Sequence, residues 1–87
     1  MKKAYLFWYK IDAYAPTEYV YIVALSVKQA QFYWVHQGYT HMYDYCLNPI
    51  DYIEETDFLK PHNVGDTLGQ YATIWANTQP YEQIRKS

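Results

Sequence analysis

Tyr19-Val-Tyr-Ile-Val-Ala-Leu-Ser26-Val-Lys-Gln-Ala-Gln-Phe-Tyr-Trp-Val-His-Gln-Gly38 is the stretch that decides the fold. Residues 19–25 are rich in β-branched and aromatic types and are apolar at both alternating sets of positions, as expected of a strand lying inside a sheet. Ser26 then precedes Val-Lys-Gln, so its hydroxyl can accept the Gln29 amide N–H while the Gln29 side chain reaches back. The spacing predicts a helix over Val27 to Gln37, with Gly38 as the left-handed residue that closes it. Val27, Ala30 and Trp34 recur at helical intervals, Phe32, Tyr33 and Val35 widen the apolar arc, and Lys28 faces water.

Upstream, residues 4–11 (Ala-Tyr-Leu-Phe-Trp-Tyr-Lys-Ile) form a second aromatic strand segment, with Tyr5, Phe7, Tyr9 and Ile11 on one face. Asp12 to Glu18, with Pro16, connects the two strands, which pair as an antiparallel hairpin. Downstream, Tyr39 to Leu47 alternates aromatic and polar residues with a strand's period of two, and Asn48-Pro49 interrupts it. Residues 50–54 make a further short strand, 55–63 a loop or single turn, and Gly65 and Gly69 bracket a tight turn into the last element. That element is expected to be a strand around Ala72, Ile74 and Trp75, and residues 77–87 a loosely held tail. The expected fold is α+β: a mostly antiparallel sheet in β-β-α-β order, with one or two further strands and one main helix packed on a face.

Eighty-seven residues make one domain, 1–87, since so short a chain cannot divide its apolar residues between two cores. Hydrophobic residues are 51% and aromatics 21% of the chain, which excludes a disordered segment. Twelve of the eighteen aromatics are tyrosine, a ring with one apolar body and one polar end that suits half-exposed positions. Seven basic residues against nine acidic ones leave too little positive charge for a general nucleic-acid binder. No stretch approaches the length of a membrane span. The apolar run after Met1-Lys2-Lys3 is cut short by Lys10 and Asp12 and lacks a cleavage site, so a cytoplasmic protein is expected.

No catalytic arrangement emerges, and no cofactor is expected. His36, His41, Cys46 and His62 are the only soft metal ligands, at spacings unlike those of zinc motifs. The lone Cys46 has no third orienting group, and Glu54 and Glu55, adjacent in sequence, point to opposite faces of a strand. Gly65-Asp66-Thr67-Leu68-Gly69 lacks the lysine of a phosphate loop. Tyr5, Phe7 and Tyr9 beside Tyr19 and Tyr21 offer a base-stacking platform, the basis of an alternative reading as a single-stranded nucleic-acid binder. A zinc-stabilised or metal-dependent domain is the other alternative. The first reading is a non-enzymatic protein-binding module. Tyr39, Tyr43, Tyr45 and Tyr52 share their region with Asp44, Asp51, Glu54 and Glu55, so aromatic anchors ringed by carboxylates are expected to meet a basic protein partner. An aromatic face or edge can also pair with its copy, which leaves a homodimer open.

The Ala-Leu-Ser-Val-Lys-Gln-Ala-Gln-Phe segment at 24–32, following an aromatic strand pair, resembles small accessory proteins of phages and mobile elements in Gram-positive bacteria. Some proteins of that kind are anti-CRISPR inhibitors. The resemblance spans residues 4–38. It implies a short, acidic, non-enzymatic blocker of a nucleic-acid-handling complex, and it transfers no site residues. The net charge of −2 is milder than that of a DNA mimic.

Overall fold

Seven residue pairs, from Lys3 opposite Ala24 to Tyr9 opposite Glu18, join β1 (Lys3–Lys10) to β2 (Glu18–Ala24) as an antiparallel hairpin. The computed structural model describes residues 1–54 and 59–69. In the hairpin loop Asp12 accepts the Tyr14 N–H on Oδ1 at 2.8 Å, and its carbonyl accepts the Ala15 N–H at 3.3 Å. This is the local bonding that favours Asp at turns.

Helix α1 (Val27–His36) starts where Ser26 Oγ accepts the Gln29 N–H at 3.1 Å. Gln29 Oε1 reaches back one residue further than expected, to the Leu25 N–H at 2.7 Å, rather than to Ser26. At the other end the Gln37 N–H bonds the Tyr33 carbonyl, and Gly38 takes φ +93°, a region costly for residues with a Cβ.

Among the described residues the two long strands lie in the interior of a five-stranded sheet in which every pairing is antiparallel. Beyond β2 lies β5 (Thr67–Leu68), with Tyr21 opposite Leu68 and Ile22 opposite Thr67. The turn expected between Gly65 and Gly69 falls earlier. The Asp66 N–H bonds the Asn63 carbonyl at 3.0 Å, Gly65 takes φ +97°, and Thr67 already belongs to the strand. The expected strand at 72–75 and the tail at 77–87 lie outside the described residues.

Beyond β1 lie two short strands on one edge, β3 (Asp44–Tyr45) and β4 (Asp51–Ile53). The continuous strand expected over 39–47 is largely replaced. Gly38 redirects the chain into a 3-10 turn, Tyr39–His41, and pairing is confined to Asp44 and Tyr45.

The two sheet faces carry separate apolar clusters. Tyr5, Phe7, Val20, Ile22 and Ala24 pack with Ala30 and Trp34 of α1. On the opposite face Ala4, Leu6, Tyr21, Val23 and Ile53 pack with Leu59. Burial on both faces explains why β2 is apolar at both sets of positions. Lys2 Nζ donates to the carbonyls of Leu59, Lys60 and His62 at 3.3, 3.1 and 2.7 Å, tying the segment that contributes Leu59 to the start of β1.

Candidate functional site: the broken edge of the sheet

The edge opposite β5 is interrupted by an odd-numbered insertion. Tyr45 stands opposite Tyr9 and Asp51 opposite Leu6, so the five residues 46–50 face only Phe7 and Trp8 of β1. The ladder is held at both margins, where the Cys46 N–H bonds the Trp8 carbonyl at 3.1 Å and the Ile50 N–H bonds the Leu6 carbonyl at 2.8 Å. Pro49, inside the bulge, has no N–H to donate. Tyr45 and Tyr52 are seven positions apart and would face opposite ways on a regular strand. The three surplus residues restore parity, placing Tyr45 opposite Tyr9 and Tyr52 opposite Tyr5 on the helix-covered face.

Helix α1 fixes the bulge from above. Trp34 donates its indole N–H to the Cys46 carbonyl at 2.8 Å. The Gln31 amide donates to the Leu47 carbonyl at 3.3 Å and to Asn48 Oδ1. Cys46 itself is half-buried, and its Sγ accepts the Trp8 N–H at 3.3 Å. Burial pushes its thiol pKa up, outweighing the opposing pull of the backbone hydrogen bonds. A thiol so held is a poor nucleophile.

The eight residues singled out from the sequence divide by environment. Tyr43, 63% exposed, Asp44 and Tyr52 are at the surface, and Asp51 and Glu54 are partly buried beside them. Tyr39 is stacked on Trp34 at 4.3 Å and tilted against Tyr9 at 5.2 Å, and Tyr45 packs against the same core. Burial, with the neighbouring Tyr9, raises the Tyr39 pKa, which a hydrogen bond to Thr67 partly offsets. Both rings therefore serve the core. Glu55 lies outside the described residues.

The acid of this region is also less naked than its sequence suggests. Glu54 lies 3.9 Å from Lys3 Nζ, which sits 4.6 Å above the Tyr52 ring, and Asp44 is opposite Lys10 in register. What the edge adds is apolar: Leu47 is 65% and Ile50 51% exposed. Tyr5, Val27, Pro49, Ile50, Asp51 and Tyr52 line a groove between β4 and the start of α1. The Asn48-Pro49 break was a sequence signal for these exposed residues. Phe32 and Val35, expected to widen the apolar arc of the helix, are instead 61% and 55% exposed; Phe32 lies about 200° around the helix from Ala30, away from the core that Ala30 and Trp34 reach.

The proposed base-stacking platform is not assembled. Tyr5 and Phe7 are buried under α1, whereas Tyr19 and Tyr21 pair with Trp8 and Leu6 and belong to the opposite face, where Tyr21 is buried. Period-two alternation and the hairpin register separate the five rings. Among the described residues no group of three or more His, Cys, Asp and Glu side chains lies close enough to hold a metal ion. His36 stacks on Phe32, and His62 lies 3.6 Å from Asp66. Among the same residues no helix is long and apolar enough to cross a membrane. Comparison with known proteins finds no family model, no curated protein and no solved structure that matches the chain.

Proposed function

We propose that this chain is a non-enzymatic protein-binding module that meets its partner through the broken β3–β4 edge. The observation that carries the reading is the exposure of Tyr43, Leu47, Ile50 and Tyr52 on one edge, with Asp44 and Asp51 among them. Aromatic and aliphatic anchors inside a polar rim are the composition of a protein interface. A sheet edge left open would invite unspecific pairing. Here the bulge and Pro49 blunt backbone pairing, which favours side-chain recognition. The carboxylates select a partner with a basic rim. The finer form of the reading is a cytoplasmic inhibitor of a nucleic-acid-handling complex, such as a CRISPR effector, encoded by a phage or mobile element. It rests on the resemblance of residues 4–38 alone.

The test is affinity capture from a bacterial lysate with wild-type and Tyr43→Ala/Asp51→Lys baits. The reading expects at least one protein held by the wild type and lost by the variant, and an identical captured set would reject it. Labelled single-stranded oligonucleotide should not be retained at low salt; salt-sensitive retention would favour direct nucleic-acid binding instead.

A further inference from the structure

The groove between β4 and the start of α1 holds a polar group that the fold leaves without a partner. Tyr5 is 5% exposed and lines the groove from β1, and among the described residues nothing hydrogen-bonds its hydroxyl. A hydroxyl shut away from solvent costs free energy until it finds a partner, so the groove presents a donor at its floor. The walls are apolar, made by Val27, Pro49, Ile50 and Tyr52. The charges beside them are engaged. Lys3 Nζ lies over the Tyr52 ring and 3.9 Å from Glu54, and Asp51 accepts the Tyr52 N–H on Oδ1 at 2.8 Å. Charge complementarity therefore calls for an uncharged occupant that brings a hydrogen-bond acceptor.

An extended backbone brings carbonyls, but most residues would also carry an amide N–H into an apolar groove. Proline has the carbonyl and no N–H. An added β-strand is a poor fit, because β4 offers three residues and Pro49 lies two positions before it. A polyproline II segment has no internal hydrogen bonds and is ordered before it binds. We propose that the groove docks a proline-rich segment of a partner protein in this conformation. One of its carbonyls accepts the Tyr5 hydroxyl, and its rings pack on Val27, Ile50 and Tyr52. The chain's own four prolines, at 16, 49, 61 and 80, form no such run, so the segment comes from a different protein. The inference rests on the reading of the edge as a contact surface and names the kind of partner that fits it.

Fluorescence anisotropy of a labelled decaproline peptide titrated with the intact chain tests it, beside a Gly-Ser peptide of equal length. Decaproline should bind saturably, with a Kd of about 1 mM or tighter, and the Gly-Ser peptide should not. Tyr5→Phe keeps the ring and removes only the hydroxyl. It should weaken binding about fivefold or more without lowering the melting temperature, since no hydrogen bond within the chain is lost. Ile50→Glu, at an exposed position, should weaken binding about tenfold. The inference is overturned if decaproline shows no saturable binding, if the Gly-Ser peptide binds equally, or if binding is indifferent to Tyr5→Phe. A lower melting temperature for Tyr5→Phe also overturns it, because the hydroxyl would then already be bonded. A chain that ignores decaproline but still loses its captured partner on Tyr43→Ala/Asp51→Lys overturns the docking site and leaves the binding module standing. No decaproline binding with an unchanged captured set rejects both.

Discussion

Tyr39 lies flat on Trp34, ring centroids 4.3 Å apart and planes 5° from parallel, while Phe7 stacks on Trp34 at 4.4 Å. The indole is thereby enclosed by two rings and anchored by its N–H on the Cys46 carbonyl. Helix, sheet and bulge meet at this side chain, and Tyr39 is a part of the core that the residues around it do not advertise.

Tyr39→Ala should therefore lower stability by about 2 kcal/mol, combining lost burial with a lost stacking partner. Tyr43→Ala, four residues on and mostly exposed, should change it by less than about 0.5 kcal/mol. Urea unfolding followed by tryptophan fluorescence separates the two. Equal effects would contradict the assignment of Tyr39 to the core and Tyr43 to the surface.

Two glycines with positive φ should respond unequally to alanine. A Cβ at Gly65 would sit 3.2 Å from the Tyr33 ring, whereas at Gly38 the nearest atom is His41 Cδ2 at 4.0 Å. Gly38→Ala carries the backbone strain alone, about 1 kcal/mol, and Gly65→Ala should lose more. Chemical denaturation of both variants measures the order, and a reversed order would mean that Tyr33 yields freely.

Lys2→Met should release the segment that carries Leu59. The ammonium holds three carbonyls, and hydrogen bonds from a charged donor contribute about 1.5–3 kcal/mol when part-buried. Amide exchange at residues 59–66 should accelerate more than exchange in α1. Uniform acceleration would instead indicate global destabilisation.

Alkaline pH should destabilise the fold through Cys46 and Tyr39. Both pKa values are raised, chiefly by burial, from ordinary values of 9.0 and 10.0. Each group therefore favours the folded state in its protonated form. That contribution is complete below the ordinary value and is lost as pH climbs through the raised one. Cys46→Ala should flatten the decline that begins above pH 9 in melting temperatures recorded across the alkaline range. Alkylation of wild-type Cys46 at pH 8 should also be slower in the folded chain than in urea.

The hairpin and helix were legible in the sequence because their causes are local. Residues 4–11 and 19–25 state strand period and composition, Ser26 and Gln29 start a helix, and Gly38 ends it. The break at Asn48-Pro49 was legible too, since proline cannot donate to a ladder. The candidate site was legible only in part: Tyr43, Asp44, Asp51 and Tyr52 come to one edge, but Tyr39 and Tyr45 turn inward. Neither the alternation at 39–47 nor the cluster of acids along 44–57 specifies its neighbours in space. Tertiary structure brought Trp34 over Tyr39, and it brought Lys3 and Lys10 beside Glu54 and Asp44. Strand registry between segments some thirty-five to fifty residues apart decides the two charge placements. The physical reason is that propensity and capping act over one turn or one strand, whereas stacking and ion pairing depend on which elements pack together.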